Sequence, residues 1–124
     1  MRHEEGVVFK HERLDVWRKA MAWAKDIYAV TQSFPETERF GLQAQVRRAS
    51  VSVAANIAEG VGRSTPADFS RFVSIAYGSL MEAVCECSMA TELGYIPFSD
   101  HDRLRTEADE IARMLSALRY SRDR

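Results

Sequence analysis

The sequence holds little that would interrupt a helix: six glycines and three prolines in 124 residues. It has no strand-like alternation, no tandem repeat and no low-complexity segment. Cysteine is nearly missing. The two present, Cys85 and Cys87, would point about 200° apart on a helix, which excludes a shared metal or an easy disulfide. Both are expected as small buried hydrophobes in a reducing cytoplasm. Excess charge is missing too: 17 bases oppose 18 acids, for a net charge of −1. That argues against a chain built chiefly to neutralise phosphates. No apolar run approaches the roughly 20 residues of a membrane helix, so no membrane partner is expected. The first fifteen residues carry acids and two histidines where a secretory signal would be apolar, so a cytoplasmic location is expected.

Catalytic and metal-binding patterns are absent as well. His3, His11 and His101 have no second histidine at i+4, so no zinc pair is indicated. There is no G-x-S-x-G, no P-loop and no G-x-G-x-x-G. Gly60-Val61-Gly62 follows a helical pattern rather than a strand, which removes a dinucleotide site. The paired Glu-x-x-His sets of iron-binding bundles are missing. The reading is therefore no enzyme, no cofactor and no metal. The enzymatic alternative is a small hydrolase with Glu59 and Glu82 as paired carboxylates.

What is present is helical periodicity. With 46% hydrophobic and 28% charged residues, the chain suits one soluble domain able to bury its own core. The expected division is a loose arm over residues 1–10, a four-helix domain over 11–120 and a tail over 121–124. The first helix is expected from about Glu12 to Thr31, with Leu14, Trp17, Met21, Ala24, Ile27 and Tyr28 on its buried face. Ser33-Phe34-Pro35-Glu36 reads as the start of the second helix, which should end at Gly60-Val61-Gly62. Thr65-Pro66-Ala67-Asp68 starts the third, and Gly94 stops it. Ser99 is expected to cap the fourth, whose stripe is Leu104, Ala108, Ile111, Leu115 and Leu118, with an end near Tyr120. Arg119, Arg122 and Arg124 suit the negative end of that helix. Three short connections between four long helices predict an all-α, antiparallel, up-down-up-down bundle.

The second helix carries more than a core face. At about 100° per residue, Leu42, Val46, Ala49, Val53 and Ile57 fall within one stripe. Ala44, Val51, Ala55 and Ala58 fall on another flank, where a free monomer would place Lys or Glu. Small residues admit a second helix closely, so this flank is expected as an oligomer interface. The bland alternative is that the helix is simply central and its alanines serve propensity. Gln45, Arg48, Ser52, Asn56, Glu59 and Arg63 form a polar stripe between the two. With Ser79 and Glu82 of the third helix, Gln45, Asn56 and Glu59 are expected to form an interhelical hydrogen-bond network. Glu82 and Glu86 are like charges at i, i+4 and call for an arginine opposite, from Arg48, Arg63 or Arg71.

Arginine outnumbers lysine fourteen to three. Arg47, Arg48, Arg63 and Arg71 are the candidate nucleic-acid-binding residues, because guanidinium suits phosphate as well as fixed ion pairs. Subunit-interface salt bridges are the plainer reading of the same residues.

Three strings carry a resemblance. They are Phe34-Pro35-x-x-Glu38, Gly41-Leu42-x-x-Gln45-x-Arg47-Arg48-Ala49 and Ser52-Val53-x-x-Asn56-Ile57-Ala58-Glu59-Gly60. Phe69-x-Arg71-Phe72-x-x-Ile75-Ala76-x-Gly78-Ser79-Leu80-x-Glu82 extends it, as does Leu14-x-Val16-Trp17. Over roughly residues 9–120 the chain resembles the bacterial four helix bundle protein family, also called the 23S rRNA intervening-sequence proteins. The resemblance implies an antiparallel bundle assembling as a ring-shaped homopentamer, with no established enzymatic activity. A related branch, the accessory protein of diversity-generating retroelements, is strongly basic and binds nucleic acid and a reverse transcriptase. The near-neutral charge of this chain departs from that branch. The resulting expectation is a non-enzymatic oligomeric scaffold, with RNA or single-stranded DNA binding as the alternative and a protein partner also open.

Overall fold

The computed structural model describes residues 6–122. The arm residues before Gly6, with His3, and the last two residues, with Arg124, lie outside the described residues. Four long helices are present: α1 (Asp15–Val30), α2 (Leu42–Val61), α3 (Pro66–Glu92) and α4 (Phe98–Arg122). No strand occurs among the described residues. α2 packs most extensively on α3, α3 on α4, and α1 on both α2 and α4, which closes a four-helix bundle.

The core is built from one stripe of each helix. α1 contributes Val16, Ala20, Trp23, Ala24 and Ile27, and α2 contributes Val46, Ala49, Val53 and Ile57. Phe69, Val73, Ala76, Leu80, Ala83 and Cys87 come from α3, facing Leu104, Ala108, Ile111 and Leu115 of α4. Trp23 anchors the α1–α4 seam by donating its indole N–H to the Leu104 carbonyl at 3.0 Å, which satisfies the polar atom of a side chain only 2% exposed. Gly60 is buried where α2 meets α3: a Cβ there would stand 3.0 Å from Phe72 Cβ. The contacts between helices run in opposite numerical directions. Ser52 meets Ser79 while Gly60 meets Phe72, and Lys19 meets Glu110 while Asp26 meets Arg103.

Several expected boundaries and faces differ. Residues Lys10–Arg13 form a separate 3-10 turn and α1 starts only at Asp15. Its packing on α2 and α4 also buries a different face: Met21 and Tyr28 are exposed, and Val16, Ala20 and Trp23 are buried instead. Ser33 and Pro35 do not start α2. Phe34 is buried against the Tyr95 ring at 5.4 Å, and Tyr95 donates its hydroxyl to Glu38 Oε2 at 3.2 Å. These contacts hold the segment in 3-10 turns until Gly41. Glu38 Oε1 then accepts the Leu42 N–H at 3.0 Å and caps α2 in place of Ser33. Thr65 caps α3 as expected, accepting the Asp68 N–H at 3.1 Å, and Gly94 follows α3 with φ +83. Ser99 lies inside α4, which begins at Phe98, since the His101 N–H already bonds the Pro97 carbonyl. α4 runs to Arg122, past the expected end. Cys85 is exposed rather than buried, while Cys87 is buried. Burial pushes the Cys87 thiol up to about 12, so it stays protonated.

Candidate functional site

The flank of α2 expected as an interface is open in the single chain. Val51 is 46% exposed and Ala55 is exposed, with Ala44 and Ala58 half-buried. α1 extends the same face with Met21 and Tyr28, at 42% and 44% exposure, over a floor of Ala24 and Ala54. A hollow of about 450 Å³ lies between these helices. A second, of about 530 Å³, shares Tyr28 and Val51 and extends to Phe40, whose ring is 87% exposed. Sequence reasoning placed Met21 and Tyr28 in the core and missed Phe40. The signal available for Phe40 was its position just before Gly41, where the chain turns into α2.

The four expected arginines do not gather. Arg47 closes the end of α1: its Nε donates to Thr31 Oγ1 at 2.8 Å and a terminal nitrogen donates to the Tyr28 carbonyl at 3.1 Å. Its guanidinium also lies 4.6 Å from the Tyr28 ring centre. A cation over the last carbonyls of a helix is favoured by the dipole. Arg48 is exposed on the next stripe. Arg63 and Arg71 stand at the other end of α2, across the turn into α3. They flank one ring, Phe72, at 4.5 and 4.4 Å, and pair with Glu59 at 2.8 Å and Asp68 at 3.5 Å. Arg48 and Arg63 are thus about 22 Å apart along the helix axis.

The expected polar network divides into parts. Ser52 and Ser79 hydroxyls meet at 2.8 Å, and Asn56 Nδ2 donates to the Ser52 carbonyl and hydroxyl at 2.8 and 2.9 Å. Glu59 belongs to Arg63 instead, and Gln45 stands exposed further along α2. Glu82 couples to Glu86 one turn away. Burial first, then the Glu82 charge and a hydrogen bond with it, push the Glu86 carboxyl up to about 7, with Arg48 across the seam acting the other way. Glu86 Oε1 is buried without a hydrogen-bond partner among the described residues. Of the arginines that could face the acidic pair, Arg48 is the one whose charge reaches it. Glu59 and Glu82 do not form a carboxylate pair. The Ser52–Ser79 register sets Glu59 opposite the Phe72 region, about 15 Å along α3 from Glu82, which removes the hydrolase arrangement.

Among the described residues no three His, Cys, Asp or Glu side chains converge as metal ligands, and no helix is long and apolar enough to cross a membrane. His101 sits 3.2 Å from the Ser88 hydroxyl.

The profile of a family described as 23S rRNA-intervening sequence protein matches residues 12–117. The chain belongs to this family. The 23S rRNA-intervening sequence protein fold is also seen in a crystal structure of a protein of unknown function from the S23 ribosomal protein family of Bacteroides thetaiotaomicron. The two share 23% identity and a TM-score of 0.76, over 84% of this chain and 97% of that one. A comparison with curated proteins gives no match. The matched range of this family member spans all four helices and the open flank of α2.

Proposed function

We propose that this chain is a non-enzymatic, homo-oligomeric interaction protein of the cytoplasm, with the α1–α2 face as its subunit contact. Its subunit is an antiparallel, up-down-up-down bundle, a reading supported by the opposed numbering of the Ser52–Ser79, Gly60–Phe72 and Asp26–Arg103 contacts. The observation that carries the proposal is the exposed apolar surface of Met21, Tyr28, Val51 and Ala55 on a helix pair whose opposite side is already core. Contiguous apolar surface of this kind marks an interaction site. Five subunits in a ring is the assembly that the family resemblance implies. Sedimentation velocity at micromolar concentration tests it. The wild type should sediment as an oligomer, and Ala55→Glu or Ala58→Glu should release monomer, since each would bury an unpaired charge. A wild type that stays monomeric overturns the reading.

Phe40 favours a second reading, RNA or single-stranded DNA binding. An exposed ring beside Arg39, Arg47 and Arg48 has the makings of a stacking platform with phosphate contacts. Affinity would then fall steeply with salt and drop on charge reversal at Arg47 and Arg48. A flat salt response counts against it.

A further inference from the structure

The N-terminal arm shows a second unsatisfied apolar surface. Val7 and Phe9 are 82% and 61% exposed, and Val8 is 39% exposed. The arm leaves the bundle from a fixed point: the Phe9 N–H bonds Glu12 Oε1 at 2.9 Å, and the Phe9 ring stacks on His11, which packs edge-on against Trp17. Beyond this anchor two valines stand in water, preceded in the sequence by Glu4 and Glu5. The α1–α2 hollow has the reciprocal character. Its walls are Met21, Tyr28 and Val51, and its edge carries Lys25, Arg47 and Arg48. Among the described residues Lys25 and Arg48 make no ion pair within 4.0 Å.

Within one chain Val7 and Val8 stand exposed and line neither hollow beside Tyr28 and Val51. The arm and the groove are thus each left open in the single copy, and a second copy offers each its counterpart. We propose that the Glu4–Phe9 arm of one copy docks in the α1–α2 groove of a second copy. Val7 and Val8 cover Tyr28 and Val51, and the two arm acids meet Lys25 and Arg48. This deepens the self-association reading and rests on it.

The test uses full-length variants in sedimentation velocity, with a labelled peptide of residues 1–10 as a second probe. Val7→Asp with Val8→Asp touches no core residue and should weaken assembly at least roughly tenfold. Glu4→Lys with Glu5→Lys should weaken it less, with the loss shrinking at high salt. The peptide should bind the Asp-arm variant and lose binding when Val51→Asp is added. If the wild type assembles and the Asp-arm variant assembles equally well, the arm inference is overturned while self-association stands. Peptide binding indifferent to Val51→Asp overturns the groove assignment. A wild type that is monomeric throughout overturns both readings.

Discussion

Val53 and Val51 sit two residues apart on α2 with the same side chain, yet one is fully buried and the other 46% exposed. The first lies in the buried core of the bundle. The second faces the hollow beside Tyr28 and Met21, where the chain supplies walls and no lid. A single fold has thus finished one side of the helix and left the other. Side-chain type does not distinguish the sides; only the presence of a covering element does. Truncation separates them. Val53→Ala should cost about 2 kcal/mol of unfolding free energy, from lost burial plus a cavity that the bundle refills only in part. Val51→Ala should lie within about 0.5 kcal/mol of wild type when the chain is dilute. It should weaken oligomers instead. Chemical denaturation at two protein concentrations measures both, and equal losses at low concentration would erase the contrast.

The glycines of α2 and α3 sharpen the same comparison. Gly60 is buried where the helices cross, and an added Cβ would meet Phe72 Cβ at 3.0 Å and the Phe69 carbonyl at 3.4 Å. Gly60→Ala should therefore cost about 1–2 kcal/mol, because two backbones rather than a flexible side chain must move apart. Gly78 is exposed mid-helix with nothing within 4 Å of a Cβ. Gly78→Ala should stabilise the isolated chain by about 0.5–1 kcal/mol, as alanine for glycine does inside a helix. A thermal melt of the dilute protein reads the sign of each. If Gly78→Ala stabilises the dilute chain but disrupts its oligomer, a neighbouring copy approaches α3 at that point.

The core was legible because burial repeats with the helical period. Val46, Val53 and Ile57, or Leu104, Ile111 and Leu115, need no knowledge of the partner helix to be assigned to one face. Starts of helices were legible where the signal is local, as at Thr65, and illegible where distant contacts decide. The α2 start depends on Phe34 meeting Tyr95 and on Tyr95 bonding Glu38, 57 residues apart in sequence. The role of Arg47 was hidden for the same reason, since its partners Thr31 and Tyr28 lie 16 and 19 residues away. The clash of Glu82 with Glu86 was readable as a spacing, and so was the need for a facing arginine. Which arginine answers it depends on the α2–α3 register, which no local pattern records.

That clash yields a small and specific effect. Glu86 has its carboxyl raised to about 7 by burial and by Glu82, while Arg48 offsets part of the rise. No other cation is among the causes of the shift, and α4 offers His101 to Ser88 on the opposite flank of α3. The folded chain therefore keeps a proton that the unfolded chain releases near pH 4.5. Across the window from about 4.5 to 7 the native state binds more protons than the unfolded state, so stability falls as pH rises and levels off above it. Glutamine imitates the protonated form. Glu86→Gln should match wild type near pH 4.5 and exceed it above pH 7, by about 0.5–1 kcal/mol once solvent screening of a half-buried group is allowed for. Arg48→Ala should carry the fall in stability to higher pH, because the offsetting charge is gone. Parallel stability curves for wild type and Glu86→Gln would mean that Glu86 keeps an ordinary carboxylate pKa, and that the α2–α3 seam is as well solvated as the open flank beside it.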